Sequence, residues 1–299
     1  MNHWHATSWR RVVVLAVLTL AGVASCSNVA GGPAPTPTEV RAKPAQGGLP
    51  RTEPNAVSWS RAPEHVARLL LQDQTEPKLD KRSVEELRVR ALLGDSWLAV
   101  RMQWADDTQD DKENASSYSD AVAVQYPMLA GGDVPDGAMG QKGRPVRIHV
   151  WKAAWQAQLD SGVDNVTRLY PHAGNVGTYP SAAAPASVRP EMSARYSPAV
   201  HAGNLMALGR ADAPVQDLVA EGFGTLMPAE KQVAVGRGVY DKGHWTVTIA
   251  RPLDVEATAA LRPGTQTYVA FAVWNGSAQN VGARKMRTGW IPLQLEAAP

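Results

Sequence analysis

From Val57 onward the chain is a succession of short apolar runs, most of them alternating with polar residues and punctuated by Gly, Pro, Asn and Asp. This rhythm constrains the fold more than any other feature. Period-two alternation between turn residues favours strands, and almost no segment sustains a helical repeat. "ELRVRALLGDSWLAVRMQWAD" alternates on both sides of Gly94-Asp95 and predicts a hairpin. "VAVGRGVYDKGHWTVTIARPL" predicts a second, turning at Asp241-Lys242-Gly243. "HVARLLLQ", "DAVAVQYP", "RPVRIHVW", "TYVAFAVW" and "GWIPLQL" predict further strands, and a short helix is expected near Lys152 to Leu159. The stretch from Asp160 to Pro214 is rich in Pro, Ala, Gly and Ser and predicts a long loop. There is no internal repeat. The expected fold is all-β, an antiparallel β-sandwich with long loops and one or two short helices.

The N-terminus has a different character. Arg10 and Arg11 precede an apolar stretch, Val12 to Val23, which is too short to span a bilayer comfortably and reads as an export signal. It ends in "VASC", and Cys26 is the only cysteine in the chain. That pattern resembles a bacterial lipobox, which implies cleavage before Cys26 and lipidation there; the plainer alternative is an ordinary signal cut nearby. Residues 1–25 are thus expected as signal peptide, 26–55 as a Pro/Gly-rich tether and 56–299 as the folded domain. This organisation implies a periplasmic protein lipid-anchored to a bacterial membrane.

Composition narrows the chemistry. A net charge of +2 gives no footprint for nucleic acid. With Cys26 committed to the anchor, cysteine-ligated zinc, iron–sulfur clusters, a cysteine nucleophile and covalent C-x-x-C-H haem are all excluded. No G-x-S-x-G elbow, H-E-x-x-H, P-loop or dinucleotide fingerprint is present. The acidic run around Asp106-Asp107 and Asp110-Asp111 reads as a solvated loop. His149 and His244 read as strand histidines, while His172 and His201 fall in the long loop. Ten Trp against two Phe leaves two readings open, core plugs or stacking platforms.

Two loop residues stand out. Met139 sits in "DGAMGQKGRPV", flanked by glycine and away from any apolar face. Lys285 lies in a similar loop before the last strand. A thioether is a soft metal donor, and a lysine amine becomes one once burial or a metal removes its proton. Met128 in "QYPM" is a rival methionine that better fits a strand end. Lys242 is a rival lysine, but its D-K-G setting is a tight turn.

The ordered motifs "DAVAVQYP", "MG", "RPVRIHVWKAAW", "GFGTL", "GRGVYDKGHWTVTIARPL" and "FAVWNGS…ARKMRTGWIPLQL" resemble the haem-b-binding γ-subunit family. These are the small subunits of ethylbenzene dehydrogenase, dimethylsulfide dehydrogenase and selenate and chlorate reductases. The resemblance covers Val57 to Leu295. It implies a β-sandwich holding one non-covalent haem b, with Met139 and Lys285 as axial iron ligands. It further implies an electron-transfer subunit without its own active site. Its partners would be iron–sulfur and molybdenum catalytic subunits, with a periplasmic cytochrome c or a quinol-linked component beyond them. Trp151, Trp245 and Trp274 are candidates for the pocket walls, and Arg237 and Arg284 for contacts to the haem propionates. Met286 and Arg287 depart from the smaller residues expected after the lysine. The alternative function is a carbohydrate- or ligand-binding sandwich without haem.

Overall fold

The computed structural model describes residues 38–94, 96–114, 116–131, 133–161, 212–255 and 261–298. Cys26, the export signal and most of the long loop, including His172 and His201, lie outside the described residues. The first half runs β1 (Val40–Pro44), a 3-10 turn (Val57–Arg61), β2 (His65–Arg68), β3 (Leu70–Leu71), β4 (Glu86–Leu93), β5 (Trp97–Ala105), β6 (Ala121–Pro127), β7 (Val146–Lys152) and helix α1 (Ala153–Ser161). The second runs β8 (Val215–Ala220), β9 (Met227–Pro228), β10 (Val235–Asp241), β11 (His244–Pro252), β12 (Gln266–Trp274), β13 (Met286–Arg287) and β14 (Ile291–Leu295). Among the described residues, no helix is long and apolar enough to cross a membrane.

Hydrogen bonds link the strands in the order β10-β11-β5-β4-β1-β14-β12-β6-β7-β8-β9. The path folds over at β12, which pairs with β14 through residues 266–269 and with β6 through 270–274. One strand thereby serves both layers of a sandwich. The two expected hairpins form, with Leu93 opposite Leu98 and Asp241 opposite His244. Lys242 and Gly243 both have positive φ, 48° and 76°, as a two-residue primed turn requires. "HVARLLLQ" is not one strand. It breaks at Leu69, so that β2 pairs with β4 in one layer and β3 with β13 in the other.

The tether assignment for 26–55 needs correction at its C-terminal end. Residues 40–44 form β1, inserted parallel to both β4 and β14. Val40 and Ala42 face the core while Arg41 faces out, and Lys43 pairs with Glu296 at 2.5 Å. A parallel strand needs no hairpin partner beside it in sequence. Its Pro/Gly-rich flanks therefore disguise it as linker.

Between the layers, Trp104, Trp151 and Trp245 pack against one another, with centroids 6.4 Å apart for Trp104–Trp245 and 5.0 Å for Trp151–Trp245. Gly238 makes room for the Trp151 indole, because a Cβ there would lie 2.3 Å from its ring. Asp120, at the entry to β6, is buried beside them. It accepts hydrogen bonds from the Trp245 indole (2.8 Å) and from the amides of Asp110 (2.7 Å) and Gly276 (2.8 Å). Asp106 is buried too, contrary to the solvated-loop expectation, and its carbonyl accepts the Tyr240 hydroxyl.

Burial pushes the Asp120 carboxyl up to about 7, with Asp106 adding to the rise and the three donors opposing it. A carboxyl whose folded value exceeds its unfolded one stabilises fully below its ordinary range and loses that contribution as pH rises through about 7. Asp120→Ala strands three buried donors and is expected to cost about 3 kcal/mol. It also flattens the fall in stability between pH 4 and 7; denaturant titrations at several pH values check both effects.

Candidate functional site

Strands β6, β7, β8 and β12 bury apolar residues on both faces, with Arg147, His149 and Asp217 among the buried polar exceptions. Val122, Val124, Trp151, Val215, Phe271 and Val273 point into the sandwich. The alternate residues Ala123, Ile148, Val150, Leu218, Ala272 and Trp274 form a second apolar cluster on the outer face. An antiparallel sheet that is apolar outside as well as inside needs a second cover. Here loops and α1 supply only part of it, and a groove of about 440 Å³ remains above Ile148, Val150 and Leu218. That volume is within the ~300–1,000 Å³ range of small-molecule and cofactor sites.

Met139 enters this groove from one side. Its loop is held by the Asp136 side chain, which accepts the Ala138 amide, and by Gly222, whose amide donates to the Met139 carbonyl at 2.8 Å. Met139 itself has φ of 72°, in a region that non-glycine residues rarely occupy. Such strain persists only where the surroundings impose it, and it clusters at functional sites.

Lys285 enters from the other side, and strand parity aims it. Met286 on β13 is fully buried in the core, so Lys285 before it and Arg287 after it must face outward. The large Met286 is the plug that fixes this orientation. Lys285 Nζ lies 3.9 Å from Met139 Sδ and 5.2 Å from the Trp274 ring centroid. The side chain as a whole is only half-buried, since it borders the groove, but the amine is deeply enclosed. Burial of that amine, with Arg287 second, pushes it from 10.5 down to about 8.

The other expected site residues separate. Trp274 lines the groove, and its indole donates to the Gly282 carbonyl at 3.0 Å. Trp151 and Trp245 do not line it. They face the interior because their strand positions have the opposite parity, and they act as core plugs. Arg237 pairs with Asp160 at 2.9 Å, outside the groove lining. Arg284 lies over Tyr118, its Cζ 6.0 Å from the ring centroid, and also falls outside the lining. His149 is a packed strand histidine, 2.5 Å from Asp217 on the neighbouring strand. Burial lowers its basicity. The reading of the sequence missed Trp155, Leu218 and Phe223, all of which line the groove. The outward apolar parity of "VRIHV" and "VQDLVA" carries the signal that would have found the floor.

The protein is an all-β sandwich with an apolar groove outside one layer, lined by a thioether and a weakly basic amine, a form typical of small-molecule and cofactor sites. A family model described as ethylbenzene dehydrogenase matches residues 56–286, and the chain belongs to that family. A protein named as a respiratory nitrate reductase heme subunit, from Haloferax mediterranei, is 25% identical over 250 residues, covering 83% of this chain and 69% of the relative. The chlorate reductase subunit gamma of Ideonella dechloratans is 23% identical over 290 residues, covering 94% of this chain and 96% of the relative. Among solved structures, a carbohydrate binding module of family 9 from Caldicellulosiruptor kristjanssonii, in complex with glucose, matches with a TM-score of 0.41. Its identity is 8%, over 87% of this chain and 96% of that one. A likeness at that level carries no argument about ligand.

Proposed function

We propose that this chain is a haem b electron-transfer subunit of a multi-subunit oxidoreductase, with Met139 and Lys285 as the two axial ligands. The observation that carries the reading is the 3.9 Å approach of sulfur and nitrogen across an apolar groove. Placed this close, the two side chains would both be available as donors to one iron ion held in the groove.

The donor set fits the group. Burial disposes the Lys285 amine to give up its proton, leaving a neutral nitrogen donor, and Met139 supplies a soft sulfur of the kind that favours ferrous haem. Bound there, an iron porphyrin supplies a one-electron ferric/ferrous couple. Ile148, Val150, Leu218, Trp155 and Trp274 provide apolar walls that exclude water. Two protein ligands leave no coordination position for substrate, so the chain relays electrons and the catalytic centre belongs to another subunit.

The names of the two relatives, a heme subunit and a gamma subunit, support that division of labour. By the family resemblance, the neighbouring subunits are iron–sulfur and molybdenum proteins. A cytochrome c or a quinol-linked component would then be the outer redox partner. Cys26 would anchor the chain to a bacterial membrane on the periplasmic side.

An optical spectrum of freshly isolated protein tests the proposal. A Soret band with a low-spin reduced spectrum, and haem extractable into acid acetone, is expected. Colourless protein that takes up no supplied haem overturns the reading; retention on a polysaccharide would then favour the carbohydrate-binding alternative.

A further inference from the structure

We infer that Arg287 receives the carboxylates of the bound tetrapyrrole and so sets which edge of the ring enters the groove first, an inference that rests on the haem reading. The Met139–Lys285 contact divides the groove in two. The large compartment of about 440 Å³ and a small one of about 50 Å³ share both residues as walls. Their charges differ. The large compartment is lined by Glu76, Glu113 and Lys152. There the Lys152 ammonium already donates to both Glu113 oxygens, at 3.0 and 3.2 Å, Glu76 pairs with Lys78 at 3.5 Å, and no arginine lines this compartment. The small compartment holds Arg287 and no acidic residue, and Gln72, Gln74, Gln125 and Thr288 complete its polar lining.

Arg287 has donor capacity to spare. Its one ion pair within the described residues, to Asp73 Oδ1 at 3.3 Å, involves a carboxylate side chain that is 72% exposed. An exposed pair of that kind binds weakly. Its Nε is buried with no hydrogen-bond partner. A buried N–H left without an acceptor is costly, and the planar guanidinium fork matches a carboxylate better than any other side chain. Parity puts Arg287 on the outward face, two residues beyond Lys285. The exposure of Asp73 places this end of the groove at the surface, where a dianionic edge keeps part of its hydration. The apolar edge of the ring then lies over Val150, Leu218 and Trp155.

The test compares two probes on the cofactor-free full chain: ferric protoporphyrin IX and its dimethyl ester, whose carboxylates are neutralised. The wild-type chain is expected to prefer the free acid by about tenfold or more. Arg287→Gln brings that ratio close to one, while its bound haem keeps the low-spin spectrum because Met139 and Lys285 are intact. Arg287→Lys, which keeps the charge but loses the fork, gives an intermediate ratio. Arg237→Gln, outside the groove lining, leaves the preference unchanged. A wild-type chain that binds haem while Arg287→Gln retains the full preference overturns this inference alone. A wild-type chain that binds neither probe overturns the haem reading and this inference together.

Discussion

Replacing Lys285 with leucine is expected to make the cofactor-free protein more stable while abolishing low-spin haem binding. The stability gain follows from the position of the amine. It sits among Met139, Trp274 and Ile148 with no carboxylate beside it among the described residues, so only the Trp274 ring face and a thioether offset the desolvation of the protonated form. Its folded value of about 8, against 10.5, means that the folded state gives up the proton first. Between those two values the unfolded chain binds more protons, so stability rises with pH across that window and is lowest where lysine is charged in both states. A full shift of this size corresponds to about 3 kcal/mol, and the partial exposure of the side chain reduces it to about 1–2 kcal/mol. Lys285→Leu removes this penalty at neutral pH and with it the pH-dependent rise. Haem affinity moves the opposite way. Loss of a partner that merely orients a ligand costs about 10–100-fold in metal affinity, and loss of the nitrogen donor is expected to exceed that. Urea titrations of the cofactor-free chain at pH 7 and pH 10, beside haem titrations of both proteins, check the two effects. A variant that is less stable at pH 7 and flat in pH would show that the amine is solvated, and the argument for a neutral donor would fall with it.

Such opposition between stability and binding explains why some of the site is legible in the sequence and some is not. Strand positions follow from alternation because most strands bury one face against a shared core, as Val89 and Ala91 do on β4. Lys285 stands out as a residue that breaks the local pattern before a core strand, and Met139 as a hydrophobe in a glycine-flanked loop. Violations of this kind are expected at functional sites, and both residues line the groove. Trp151 and Trp245 could not be assigned by type, because an indole plugs a core as readily as it walls a pocket. Only the parity fixed by pairing β7 with β6 and β11 with β5 turns them inward. Arg237 and Arg284 were misassigned for a similar reason, since a surface arginine gives no sign of which acid or ring it will meet. Arg287 was visible as a departure from the expected pattern, but its meaning depends on Met286 filling the core beside it. β1 escaped notice because its partners lie far along the chain, at 91–93 and 293–295. Long-range parallel pairing leaves no local signature.

Gly140→Ala is expected to unseat the methionine without touching it. Gly140 has φ of 79°, directly after Met139 at 72°, so the loop makes two consecutive left-handed steps. A Cβ at 140 would lie 2.9 Å from the Arg144 carbonyl oxygen and 3.0 Å from that of Ala220. Both are backbone atoms, fixed by the Arg144–Gln141 turn and by β8, and neither can swing aside as a side-chain tip would. The left-handed conformation alone costs a non-glycine residue about 1–2 kcal/mol. The contacts add to it, for a total of about 3 kcal/mol, unless the loop moves and carries Met139 off its hydrogen bond to Gly222. Gly143 supplies the control. Its φ is 76°, yet nothing lies within 4 Å of a Cβ built there, so Gly143→Ala incurs the conformational cost alone. The expected result is a larger stability loss in Gly140→Ala, together with loss of the methionine-ligated spectrum that Gly143→Ala retains. Thermal unfolding and optical spectra of the two variants decide it. Equal losses would mean that the crowding at Gly140 is relieved freely, and that the Met-Gly pair owes nothing to the carbonyls around it.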